Sequence, residues 1–233
     1  MANIVIGIEG LVGSGKTSIC RELLNILPNS IVLHGGNLYR GIVYALMNSN
    51  KQLSLENLNK NMEDVNIKKI MDELEVSFKV ENRETVVYIK GIKIDEEKLQ
   101  SKETSMAVSL ASQNADNKAL FLFFRDIINE LKEKYNVILS GRALMEIYPD
   151  LNYHFFITAD IDERVKRKAR QYGENIDLKE LKEHIEKRDD LQEKAGFYKI
   201  YSNTIQLDVT ECKDVLESTK KLCDYIEEIK FVI

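Results

Sequence analysis

Short apolar runs and longer amphipathic stretches alternate along most of the 233 residues. Residues 3–8, Asn-Ile-Val-Ile-Gly-Ile, are an apolar run ending at a glycine-rich turn, the pattern of a strand buried inside a parallel sheet. Ile19, Leu23, Leu24 and Leu27 recur at helical spacing, which predicts a helix over 16–27 stopped by Pro28. A second strand follows over Ser30–Leu33, then Gly35-Gly36 and a helix from about Tyr39 to Met47. The alternation resumes after residue 101. It predicts helices over 103–114 and 117–134 and strands over 137–139 and 154–157. Helices over 161–172 and 177–194, a strand over 204–207 and a last helix over 211–229 complete the chain. Strands alternating with helices imply a parallel sheet covered on both faces.

The middle of the chain departs from this rhythm. Residues 51–72 are polar with helical character, and the runs 75–80 and 85–90 are β-rich with mostly alternating polarity. Separated by Glu81–Glu84, they predict a hairpin, with Ile92–Ile94 as a third short strand. The expected organisation is therefore a core of residues 1–49 and 101–233 and a small β-rich insert over 50–100. The fold class is α/β, a three-layer sandwich around a central parallel sheet.

Composition narrows the function. Hydrophobic residues make up 44% and charged residues 30%, enough apolar side chains for a sizeable core. A formal net charge of -5 argues against a general nucleic-acid binder. Cys20, Cys212 and Cys223 form no CxxC pair and read as reduced thiols of a cytoplasmic protein. The Ile4–Ile8 run is too short and interrupted for a signal peptide, and no stretch approaches the ~20 apolar residues of a membrane span. His34, His154 and His184 lack metal-ligand spacing and read as structural or surface residues.

The strongest chemical signal is Gly10-Leu11-Val12-Gly13-Ser14-Gly15-Lys16-Thr17, which fits G-x-x-x-x-G-K-[ST] between a predicted strand and a predicted helix. Glycines allow backbone N–H groups to curl around phosphate oxygens, and the following helix adds its positive end. Gly10, Gly13, Ser14, Gly15, Lys16, Thr17 and Ser18 are the expected nucleotide-binding set. Lys16 is placed to reach the β- and γ-phosphates of ATP, Thr17 to hold Mg²⁺, and Glu9 to act as a partner of the metal or its water. Arg164 and Arg167, with Lys168, lie on neighbouring faces of one predicted helix and supply cations for the charge of the transferred group. They belong to an expected lid over about 160–195. Arg142 directly follows a buried strand, and Arg40 follows the end of the second, where ligands collect in open parallel sheets. With Arg188 they are the expected acceptor-binding arginines. Asp208 reads as a brace at a strand end.

These residues, in order, resemble the bacterial cytidylate kinase family. Glu9–Thr17 resembles its acidic-Gly-x-x-Gly-x-Gly-Lys start, and Gly36–Arg40 its Ser-Gly-x-x-Tyr-Arg motif. Gly141-Arg142, Tyr148-Pro149-Asp150, Arg164–Lys168, Ile185–Asp190 and Leu207–Thr210 resemble later motifs, and the β-rich insert resembles the family's enlarged monophosphate-binding domain. The resemblance implies transfer of the γ-phosphate of ATP, with Mg²⁺, to CMP or dCMP. The departures fall on the acceptor side: Gly35 for Ser, Ser140 and Ala143 for the two Asp residues flanking Gly-Arg, and Gln192 and Ala195 for an Asp and an Arg. Lys194, Lys118 and Arg125 are candidates to compensate. Two alternatives follow, a kinase of the same fold with another acceptor such as a deoxynucleoside, and a nucleotide-binding pseudo-kinase. The expected partners are small nucleotides, with no nucleic acid and no membrane, and the expected state is a monomer.

Overall fold

The computed structural model describes residues 2–48, 71–73, 75–111, 118–172, 176–227 and 229. The polar segment expected to be helical over 51–72 lies almost wholly outside these residues. Five parallel strands form the centre: β1 (Val5–Gly10), β2 (Ser30–His34), β6 (Asn136–Ser140), β7 (Tyr153–Thr158) and β8 (Thr204–Asp208). Their order is β2-β6-β1-β7-β8, so the strand leading into the glycine-rich turn is flanked on both sides. All six residues of β1 are buried, which explains its unbroken apolar reading.

Helices α1 (Lys16–Ile26) and α9 (Val215–Cys223) cover one face, where Ile6, Ile8, Ile19, Leu23, Phe155 and Leu222 pack together. The other face carries α2 (Gly35–Met47), α4 (Lys102–Ala111), α5 (Lys118–Lys132) and α6 (Leu144–Ile147) around Leu33, Leu38, Phe124, Leu139 and Leu144. A third cluster, Val12, Val165, Leu181 and Ile185, fixes α7 (Ile161–Tyr172) and α8 (Leu178–Lys194) against the glycine-rich loop.

The β-rich segment is the expected hairpin, β3 (Ser77–Glu81) with β4 (Glu84–Ile89), followed by β5 (Ile92–Lys93) and the short helix α3 (Glu96–Gln100). Its turn residues Asn82 and Arg83 both have positive φ. β4 joins the edge of the parallel sheet at one register pair, Val32 with Glu84. Arg83 secures the junction by donating to the Ser30 carbonyl at 2.9 Å and hydroxyl at 2.8 Å. Arg21 on α1 grips Glu84 at 3.0 and 3.2 Å and Glu96 at 3.0 and 3.3 Å, and His34 meets Glu84 at 2.7 Å.

Several boundaries differ from the sequence expectation. β1 runs two residues further than expected because its pairing with β7 continues through Glu9 and Gly10. α2 begins at Gly35 rather than near Tyr39, so Arg40 sits in its second turn rather than at its start. The two glycines discourage a helix by propensity, but packing of Leu38, Ile42 and Val43 overrides it. The last helix spans only 215–223, capped by Asp214, whose side chain accepts from Glu217 N. Neither α3 nor α6 is anticipated by the apolar pattern, because each is too short to repeat it.

Gly10 ends β1 at φ +143°, and a Cβ there would run into the backbone of Ile157. Gly10→Ala should cost at least about 2–3 kcal/mol. A lowered urea midpoint checks this, and an unchanged midpoint would refute it.

Candidate active site

The loop after β1 is held from behind before it can hold anything else. Gly13 and Gly15 take left-handed φ of 80° and 98°, and a Cβ on Gly13 would press on Arg164 and Lys168 at 3.2–3.3 Å. Arg164 Nη1 donates to the Val12 carbonyl at 3.1 Å and pairs with Asp189 of α8. Asp189 Oδ1 also accepts from Val12 N at 3.0 Å and from the Tyr198 hydroxyl at 2.6 Å. Arg167 donates to the carbonyls of Ser14 at 3.1 Å and Val209 at 2.8 Å and to Glu163 at 3.0 Å. Lys16 Nζ donates to the carbonyls of Gly10 at 2.9 Å and Leu11 at 2.6 Å.

This loop opens onto a cleft of about 490 Å³ at the carboxyl ends of β2 and β6, a volume usual for small-molecule sites. Gly13, Gly15, Lys16, Thr17 and Ser18 line it, together with Arg40, Arg142, Arg167 and Arg188. Gly10, Ser14, Glu9 and Arg164 are not among its lining residues. Glu9, expected near the metal, is turned away by strand alternation. Gly7 and Glu9 share the face of β1 toward α6, where Glu9 accepts from Leu144 N and lies 3.5 Å from His154 Nε2. Arg164, expected to meet the transferred group, is committed to the loop backbone and Asp189.

Among the described residues, five arginines and two lysines line the cleft against one carboxylate, Glu96. Burial pushes the Lys16 ammonium well below its ordinary value, and Arg142 adds to the shift. Burial, then Arg188 and Arg142, hold Arg40 down to about 9. Burial, then Arg188 and Arg40, bring Lys168 to about 7. Arg188 is 5% exposed, and its Nε has no hydrogen-bond partner among the described residues. Buried like charges repel unless an anion joins them, so the cleft is built for a polyanion.

Arg142 is aimed by three neighbours. Its Nε donates to Gln192 Oε1, its Nη1 donates to the Gly141 carbonyl at 3.0 Å, and its guanidinium lies 5.6 Å from the centre of the Tyr198 ring. Gln192 in turn donates to Ser109 at 3.4 Å. Two of the candidates for compensation, Lys194 and Arg125, are engaged elsewhere. Lys194 pairs with Asp190 at the surface, and Arg125 is spent on the carbonyls of Ile147 at 2.8 Å and Glu146 at 3.2 Å. The side chain of Lys118 lies outside the described residues. Sequence reasoning missed Tyr198, which sits in a loop without a motif, and the cleft-lining Arg21, which reads as one more surface charge of α1.

The sequence model of the family described as cytidylate kinase matches residues 6–228. The chain belongs to the cytidylate kinase family. A cytidylate kinase of Acholeplasma laidlawii is 28% identical over 243 residues, covering 100% of this chain and 99% of that one. A cytidylate kinase of Clostridium botulinum is 26% identical, covering 97% and 99%. A crystal structure of an uncharacterized protein from Eubacterium ventriosum overlays with a TM-score of 0.48 at 18% identity, covering 96% of this chain and 98% of that one. As a member of this kinase family, the chain is a phosphotransferase of the nucleoside monophosphate kinase type, with ATP as phosphoryl donor. No helix among the described residues is long and apolar enough to cross a membrane.

Asp189→Ala strands the buried Arg164 and frees Val12 N, so it should destabilise by about 3 kcal/mol and weaken triphosphate binding. Urea unfolding and calorimetry check both effects. Lys168 is largely neutral above pH 7 and phosphate favours its charged form. Triphosphate binding should therefore take up protons near pH 8 and weaken as pH rises from 7 to 9. Calorimetry in buffers of different ionisation enthalpy measures the uptake, which Lys168→Gln should reduce.

Proposed function

We propose that this chain transfers the γ-phosphate of ATP to a nucleoside monophosphate, with CMP and dCMP the first acceptors to expect from its family. The observation that carries this reading is one cleft shared by Lys16 with its glycine loop and by Arg40, Arg142 and Arg188. The loop takes the donor's phosphates and the three arginines take the acceptor's. An acceptor phosphate oxygen is already nucleophilic, so no strong base is needed. It attacks the γ-phosphorus as the bond to the bridging oxygen of the β-phosphate breaks, and ADP leaves. Lys16 and Arg167 neutralise charge on the transferred group, Arg164 acts one step back by holding the loop, and alignment does much of the rest.

The donor chemistry of the site suits Mg²⁺, because the Thr17 hydroxyl is a hard oxygen ligand on the cleft wall. No group of three His, Cys, Asp or Glu among the described residues could hold the ion alone, so the phosphates would provide most of its other ligands. Bound there, it would offset phosphate charge. The segment over 50–100 serves, in this reading, as the acceptor-side unit. Buried free cysteines fit a reducing compartment such as the cytoplasm. Loss of the acidic residues at 140, 143 and 192 keeps a different acceptor in view as a second reading.

Coupled ADP release over a panel of monophosphates and nucleosides tests the proposal, and release independent of any monophosphate would end it. Lys16→Ala should lower kcat by at least about 10³-fold with the fold retained. Arg142→Ala should raise the acceptor KM about 10- to 100-fold and leave the KM for ATP unchanged. A change confined to the KM for ATP would contradict the assignment of Arg142.

A further inference from the structure

Glu9 stands one residue before the phosphate loop yet is buried behind the cleft, not in its wall. A buried carboxylate needs polar partners to offset its lost hydration. Leu144 N donates to Glu9 Oε1, and His154 Nε2 of β7 lies 3.5 Å from the same oxygen. The Thr204 hydroxyl accepts from Tyr201 N at 2.9 Å, which leaves its proton for His154 Nδ1 at 2.8 Å. In that tautomer Nε2 carries the ring hydrogen and faces the carboxylate. The Glu9 oxygen is therefore set from behind by β7 and offered forward to Leu144.

Leu144 N is important because of what precedes it. The segment from Ser140 to Leu144 leaves β6, carries Arg142 into the cleft and turns into α6. Ala143, between Arg142 and Leu144, is buried in the left-handed region at φ 53°, ψ 34°. A residue with a Cβ keeps that conformation only where its surroundings impose it. On the other side of Arg142, Gly141 N donates to the Ile8 carbonyl at 3.4 Å. Consecutive residues of β1 thus hold the backbone on both sides of Arg142, Ile8 through its main chain and Glu9 through its side chain.

We infer that Glu9 is a positioning residue for the acceptor side: its carboxylate holds Leu144 N, and with it the turn that aims Arg142 into the cleft. It acts as a hydrogen-bond acceptor and not as a charge on phosphate or metal. The role rests on the kinase reading and on Arg142 as an acceptor arginine. It makes one strand end set the register of both the donor loop and an acceptor arginine.

Steady-state kinetics of the full chain with ATP and CMP, or with the best monophosphate of the panel, test this role. Glu9→Met keeps the side-chain length but withdraws the acceptor oxygen, and should raise the acceptor KM about 5- to 100-fold with the KM for ATP within about threefold. Glu9→Gln keeps an oxygen for Leu144 N and should return the acceptor KM to within about threefold of the wild type. In an Arg142→Ala background, Glu9→Met should add less than about twofold, because the arginine it aims is gone. Should Glu9→Met fail to fold, it is made together with Ala143→Gly, which removes the steric cost of the left-handed turn, and is compared with Ala143→Gly alone. An acceptor KM that does not move in Glu9→Met, KM values for ATP and acceptor that rise together, full additivity with Arg142→Ala, or a Glu9→Gln variant as impaired as Glu9→Met would each overturn the role and leave the kinase reading standing. A wild-type chain that turns over no monophosphate overturns the kinase reading itself.

Discussion

Mutual repulsion among buried cations is the constraint on which the site depends. Burial, and after it the charge of neighbouring cations, depresses the protonation of Lys16, Arg40, Lys168 and Arg188, and the fold has to keep them there before any nucleotide arrives. It does so with neutral partners. Loop carbonyls take Lys16, an amide oxygen takes Arg142 and a tyrosine face lies beside it. Neutral acceptors orient a cation without cancelling it, so the attraction for phosphate stays intact. The ion pair of Arg164 with Asp189 stands behind the loop and fixes its backbone.

This arrangement divides the arginines into two kinds. Some face the cleft and some brace it, although both kinds look alike in the chain. Arg164 and Arg167 are three residues apart on one helix and both hold the loop backbone, yet only Arg167 also lines the cleft. The difference follows from where Asp189 and Val12 lie, which is a tertiary fact. Tyr198 joins the two sides, because one hydroxyl meets the donor-loop brace and one ring meets the acceptor arginine.

Much of this was legible in the chain. The glycine spacing located the phosphate loop, and helical periodicity located α1, α7 and α8 to within a residue or two. The alternating runs after residue 75 announced the hairpin. The orientation of Glu9 is not legible, because a motif names residues without saying which face of a strand they occupy, and its carboxylate points toward α6. The start of α2 was missed because glycine propensity is weaker than the packing of Leu38 and Ile42. The apolar part of the cleft wall could not be read at all, since Leu33, Val108, Phe121 and Leu139 look like ordinary core residues in the chain.

The junction of β4 with β2 has a mechanical meaning. A single register pair joins the hairpin to the sheet, so side chains such as Arg83 and Thr85 carry much of that seam. Arg21 and His34 then work as latches, each fastened to a carboxylate on the far side. Since Arg21 belongs to the helix that begins at Lys16, the hairpin is moored directly to the phosphate loop's own foundation.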